Sequence, residues 1–164
     1  MLMTLAYEIR AADYANLADR QALLALLDAY ACDPMGGAQP LSEAVKTRLC
    51  DALGAFNGAR SWLAWHGSQP VGLLNAFLGF STFKAAPLLN IHDLVVQPAW
   101  RGQGIGRALL AQAEHEAKAM GCCKLTLEVL SGNQRAQRAY AFFGFEHYVL
   151  DPQAGQAGLM QKWL

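Results

Sequence analysis

Gln97-Pro98-Ala99-Trp100-Arg101-Gly102-Gln103-Gly104-Ile105-Gly106-Arg107 joins an apolar run to an amphipathic pattern, and the fold turns on how that junction is read. Before it, Leu88 to Val96 is almost continuously apolar, interrupted by His92 and Asp93, which predicts a central strand buried on both faces. After it, Ile105, Leu109, Ala113, Ala117 and Met120 recur at helical spacing, with Arg107, Glu114, His115 and Lys118 elsewhere and Gly121 as the closing cap. A strand that turns through glycines into a helix leaves backbone N–H groups unpaired at the positive end of the helix dipole, which suits a diphosphate. Side chains at Gly102, Gly104 and Gly106 would obstruct that approach.

Three readings compete for the junction. A P-loop needs Gly-Lys-Ser/Thr at its end, which is absent. A dinucleotide fingerprint needs a glycine where Arg107 stands, although Glu128 lies close to the roughly 20-residue offset of a ribose-binding acid. A glycine turn without a ligand also stays open on these residues alone.

Outward from the junction, Lys124 to Leu130 reads as another strand and Asn133 to Phe143 as a helix ended by Gly144. Phe145 to Leu150 and Leu159 to Trp163 read as two closing strands around an Asp151 to Gly158 loop. Upstream, Leu5 to Arg10 alternates as a first strand, and Asp13 to Ala31 is a helix with Asp13 as N-cap. After a breaker-rich loop around Asp33-Pro34 to Pro40, expected to be mobile, Ser42 precedes a second helical pattern through Val45, Leu49, Leu53 and Phe56. Trp62 to Trp65 and Val71 to Phe80 form a hairpin around His66 to Pro70. The sum is one α+β domain over residues 1–164, with a mixed central sheet flanked by helices.

Thirteen Lys and Arg balance 13 Asp and Glu in the 164 residues, so no overall field favours a nucleic acid or an anionic membrane. No apolar run approaches the ~20 residues that span a bilayer, and no secretory leader pattern opens the chain, which makes the cytoplasm the expected compartment. Cys32, Cys50, Cys122 and Cys123 lack metal or redox spacing and read as reduced, mostly buried thiols. His66, His115 and His147 show no paired spacing, so no metal is expected. Trp62, Trp65, Phe77, Phe80 and Phe83 read as packing residues.

Arg101-Gly102-Gln103-Gly104-Ile105-Gly106 resembles the acyl-CoA motif of the GCN5-related N-acetyltransferase (GNAT) family, Gln/Arg-x-x-Gly-x-Gly/Ala, after the strand Leu94-Val95-Val96. Leu127-Glu128-Val129 with Asn133, Ala136, Tyr140 and Gly144-Phe145 is similar to the family's later motif. The likeness covers about Asn90 to Phe145. It implies the acyl-CoA N-acyltransferase fold, a mostly antiparallel sheet splayed between two parallel strands, Leu88 to Val96 and Lys124 to Leu130. It further implies acetyl-CoA as cosubstrate, with phosphates on the amides of Gly102 to Arg107 and pantetheine along Leu94, Val95 and Val96. Asn133 would stand near the CoA arm and Tyr140 would protonate the departing thiolate. The implied acceptor is an amine of a small molecule or peptide, its cleft walled by Cys32 to Leu41, Asn75 to Lys84 and Asp151 to Gly158. A homodimer stays open.

An amine attacks a thioester only as the free base, so a proton acceptor is required. Some family members carry Glu-Asp where this chain has His92-Asp93. His92 is the leading base and Asp93 its alternative or orienting partner; two polar residues that merely satisfy core backbone are an equal reading. A rival of another class is an acyl-CoA-binding sensor without chemistry.

Overall fold

A computed structural model describes residues 7–149, 151, 153, 155 and 157–164. The chain divides into two compact units, Met1–Leu127 and Glu128–Leu164. In the first, the order is β1 (Glu8–Ala11), α1 (Leu17–Ala31), α2 (Glu43–Ala55), β2 (Ala59–His66), β3 (Gln69–Ser81), β4 (Ala86–Val96), a single 3-10 turn (Pro98–Trp100), α3 (Ile105–Ala119) and β5 (Leu125–Leu127). The strands line up in sequence order as one open sheet, antiparallel except between β4 and β5, which run parallel. A parallel pair needs a crossover, and α3 supplies it.

Helices cover both faces. On one, Leu23 and Leu26 of α1 and Cys50 and Leu53 of α2 pack on Leu63, Leu73 and Val95. On the other, Ile105, Leu109, Leu110, Ala113 and Ala117 of α3 are buried. Gly72 of β3 sets how closely α3 sits. A Cβ there would lie 3.0 Å from Ile105 Cγ2, 3.1 Å from Leu109 Cδ1 and 3.2 Å from the Val95 carbonyl oxygen.

Several boundaries differ from expectation. The α1 N-cap is Asn16, whose side-chain oxygen accepts from the Ala18 and Asp19 N–H groups; Asp13 instead accepts from the Ala15 N–H and tightens the turn before it. Both residues are good caps, and the Asp13 turn delays the helix by one loop. Ser42, expected only to precede the second helix, caps α2, its side chain accepting from the Val45 N–H. Met120 is the residue that ends α3, and Gly121, at φ 73°, follows it in the left-handed region. β4 is not buried on both faces: only Leu89, Ile91 and Val95 are buried, and His92 is exposed. The reason is its short pairing with β5, limited to Leu89–Leu125, Asn90–Thr126 and Ile91–Leu127. Of the four thiols only Cys50 is buried, while Cys32 and Cys123 are exposed.

In the second unit, α4 (Gln134–Phe143) is capped by the Asn133 side-chain oxygen, which accepts from the Ala136 N–H, and closed by Gly144 at φ 110°. The expected closing strands do not form among the described residues, where only a single bridge residue occurs at Val149. Leu5 and Leu150, and parts of the 151–158 loop, lie outside the described residues. No helix among the described residues is long and apolar enough to cross a membrane.

Candidate active site

The glycine turn begins where β4 leaves the sheet. Gln97 anchors it, donating its N–H to the Val71 carbonyl and its side-chain amide to the Pro70 carbonyl. Gly102 (φ 79°) and Gly104 (φ 84°) both occupy the left-handed region, which side chains rarely tolerate. Gly104 is the N-cap of α3, and no side chain caps that helix, whereas Asn16, Ser42 and Asn133 cap the other three. The first intrahelical bond runs from the Ala108 N–H to the Gly104 carbonyl, so the N–H groups of Ile105, Gly106 and Arg107 point out of the helix end. Gly106 is not required by the chain's own packing: a Cβ there would meet only Val96 Cγ2, at 3.6 Å.

The side chains of the motif behave differently from its backbone. Ile105 is buried in the core, and Gln103 turns back to donate to the Ala99 carbonyl. Arg101 donates through Nε to the Val96 carbonyl at 3.0 Å and approaches Asp33 Oδ2 at 3.4 Å. It braces the turn against β4 and against the α1–α2 loop. Asp33 also accepts from the Met35 N–H, and these donors hold its carboxyl below the usual range. That loop is closed by further backbone bonds, from Gly36 and Ala38 to the Asp33 carbonyl and from Gln39 to the Ala31 carbonyl.

His92 owes its position to a β-bulge. Asp93 lies opposite Asn75 and Ile91 opposite Ala76, which makes His92 the one extra residue of β4 in the register with β3. The His92 ring stands edge-on to Phe77 at 5.5 Å, and Asp93 accepts from Asn75 Nδ2 at 3.0 Å. Asn75 and Phe77 share one face of β3, so the bulge delivers both candidate bases to that same face. His92 Nδ1 is 3.5 Å from Asp93 Oδ1, the outer limit of a hydrogen bond. Tyr30, near the end of α1, lies in this neighbourhood. Burial pushes its phenol up, and the negative charges of Asp93 and Asp33 push it further.

Of the backbone groups expected to meet pantetheine, those of Leu94, Val95 and Val96 lie beyond the last β4–β5 pair, Ile91–Leu127. The Val95 side chain belongs to the core, and the Val96 carbonyl already accepts from Arg101. In the second unit, Asn133 and Tyr140 sit at the start and in the second turn of α4; the Tyr140 ring meets Phe145 edge-on at 5.9 Å.

Ser61, absent from the sequence reading, joins the site, as do Asn75 and Asp33, which that reading placed only within the cleft walls. Asn75 is a polar residue inside an apolar run, the same signal that marked His92 and Asp93, whereas Ser61 follows Arg60 and carries no such mark. Elsewhere, a cavity of about 320 Å³ is lined by Tyr14, Ser61, Trp62, Gln112 and Glu116 among others, and by none of the motif residues. No group of three or more His, Cys, Asp or Glu able to hold a metal occurs among the described residues.

A family model described as the acetyltransferase (GNAT) family matches residues 23–145. Aminoalkylphosphonate N-acetyltransferase of Salmonella typhimurium is 37% identical over 86 residues, 52% of this chain and 54% of that protein. Thialysine N-epsilon-acetyltransferase of Bos taurus is 35% identical over 68 residues, 42% and 39% of the two chains. Mycothiol acetyltransferase of Gordonia bronchialis is 29% identical over 154 residues, 90% of this chain and 47% of that one. The chain spans about half the length, or less, of these curated relatives. Among solved structures, a transcriptional regulator from Bacillus halodurans C-125 aligns at TM-score 0.78 and 24% identity over 96% of this chain and 100% of that one. Aminoglycoside N-acetyltransferase AAC(6')-Iy in complex with CoA aligns at TM-score 0.73 and 14% identity, covering 97% and 95%. At these identities the structural likeness is one of fold.

Proposed function

Because this chain belongs to the acetyltransferase (GNAT) family, we propose that it is a single acetyl-CoA-dependent N-acetyltransferase domain acting on a primary amine of a small molecule or peptide. One observation carries the reading. β4 runs on past its last β5 partner and ends in a glycine turn whose helix offers bare amides. The diphosphate of acetyl-CoA binds there, on the N–H groups from Gly102 to Arg107, where the N-cap Gly104 brings no side chain of its own. Pantetheine lies along Leu94 to Val96, using backbone groups that the short β5 leaves for it.

His92 or Asp93 takes the proton from the acceptor ammonium, directly or through water. The free amine attacks the thioester carbonyl, a backbone N–H around Val95 or Val96 stabilises the oxyanion, and collapse of the intermediate breaks the C–S bond. Tyr140 gives its proton to the departing thiolate, with Asn133 beside the CoA arm. The relatives named for aminoalkylphosphonate and thialysine favour a small, free amine as acceptor.

The test is an acceptor panel that reads release of free CoA, run with His92→Ala, Asp93→Ala and Tyr140→Phe. At least one amine should be acetylated, with kcat lowered by about tenfold or more in Tyr140→Phe and in one of the other two variants. Wild-type rates in all three would remove this mechanism, and CoA binding without transfer to any amine would make the chain a sensor.

A further inference from the structure

Asp93 is the end of a row of polar side chains that crosses the sheet through its interior. Ser61 of β2, Asn75 of β3 and Asp93 of β4 are directly opposite one another in the two antiparallel ladders. Ser61 is 5% exposed and Asn75 3%, among residues that are otherwise apolar. Their bonds are continuous. Tyr14 and Ser61 hydroxyls are 2.8 Å apart, Ser61 Oγ is 2.6 Å from Asn75 Oδ1, and Asn75 Nδ2 is 3.0 Å from Asp93 Oδ2.

The direction of every bond follows from what each atom can do. An ionised carboxylate only accepts, which requires the amide nitrogen of Asn75 to face it. Asn75 Oδ1 then only accepts, so Ser61 must donate its one hydroxyl hydrogen there. Ser61 in turn must accept from Tyr14. Burial pushes the Tyr14 phenol up and keeps it a neutral donor. All donors therefore point at Asp93, and bonds aligned in series polarise one another. An amide in the middle makes the row a poor proton conductor, because its nitrogen would have to lose a hydrogen it does not readily give up. What the row can do is hold.

We infer that Asn75, oriented by Ser61 and Tyr14, is a positioning residue that fixes the Asp93 carboxylate at the bulge by tying down Oδ2 and turning Oδ1 toward His92. This rests on the proposed role of the His92–Asp93 pair in accepting the acceptor's proton. It adds to that role a fixed geometry, supplied from the interior rather than from the cleft. A carboxylate at the end of an unbraced bulge would rotate, and a misplaced base lowers turnover without weakening either substrate.

The experiment is a double-mutant cycle between Asn75→Leu and Asp93→Asn, reading kcat, KM for the amine, CoA affinity and the thermal midpoint. In the otherwise native protein, Asn75→Leu lowers kcat by about tenfold and leaves amine KM and CoA affinity within about twofold. In the Asp93→Asn background the same change has no further effect on kcat. A residue that merely supports the sheet would lower kcat by the same factor in both backgrounds, and that result overturns the inference while sparing the proposed mechanism. Asp93→Asn at the wild-type rate would also overturn the inference and would leave His92 as the base of the proposed mechanism. Should Asn75→Leu fail to fold, Ser61→Ala serves instead: it keeps the Asn75–Asp93 bond but frees the amide, and is expected to lower kcat by about threefold, again only when Asp93 is present. An unchanged kcat in Ser61→Ala would then refute the inference.

Discussion

Substituting Gly72 by alanine tests the link between sheet packing and the glycine turn. Two effects oppose each other. Alanine restricts the unfolded chain and by itself stabilises a strand position by about 0.5–1 kcal/mol. Against that, the new methyl meets Ile105 Cγ2 at 3.0 Å, Leu109 Cδ1 at 3.1 Å and the Val95 oxygen at 3.2 Å. Comfortable carbon separations are about 3.5–4.0 Å, so three contacts must open at once. One is backbone in a sheet ladder, and the other two are side chains in a filled core, so none moves freely. Overpacking of this kind costs about 1–3 kcal/mol, leaving a net loss of about 1–2 kcal/mol. For a chain of this size that is a fall in thermal midpoint of about 3–6 °C. Because Ile105 opens α3, the displaced helix also carries its amides away from β4, and CoA should bind about fivefold more weakly, near 1 kcal/mol. Differential scanning calorimetry and isothermal titration read the two quantities. A midpoint equal to or above that of the native protein, with unchanged CoA affinity, would show that α3 is not seated through Gly72 and would refute the reasoning.

Two further outcomes follow from groups outside that contact. Gly104→Ala places a side chain at φ 84°, a conformation costing about 1–2 kcal/mol, and puts a methyl beside the bare amides of α3; isothermal titration should find CoA binding reduced by more than the Gly72 change produces. Asp19 is 1% exposed; burial alone would raise its carboxyl, yet Arg10, which binds it through both guanidinium nitrogens, and the Asp13 N–H together hold it below the usual range. With the folded value below the unfolded one, this group adds stability above the unfolded carboxylate range, and that stability is lost as pH falls through the folded value. Arg10→Ala should therefore cost about 2–4 kcal/mol at neutral pH in urea unfolding and a smaller amount in strong acid, an equal loss at both pH values being the contrary result.

The glycine turn was legible in the sequence because two unlike patterns, an apolar run and a 3.6-residue stripe, change over at the glycines themselves. The start of α2 after Ser42 was legible for a similar reason: the breaker-rich loop stops there and a helical stripe begins. Near α1 two caps compete, and only the three-dimensional path of the loop decides between Asp13 and Asn16. The bulge at His92 was hidden, since an extra residue leaves no mark on an apolar run, and with it went the knowledge that His92 and Asp93 share a face. The polar row was hidden in a different way. Ser61, Asn75 and Asp93 are 14 and 18 positions apart, and their meeting depends on the register of two ladders. The closing strands were read from residues whose β propensity is real but which form no ladder among the described positions, propensity being a weak prior beside tertiary pairing.

The supernumerary residue in β4 is detachable from the architecture around it. Were His92 excised, Ile91 and Asp93 would become neighbours while each kept its present counterpart, Ala76 and Asn75, and the seam would knit into an unbroken ribbon with every other side chain on the side it now occupies. What the additional residue brings is an imidazole set edge-on to Phe77, on the side of the ribbon that also carries Asp93.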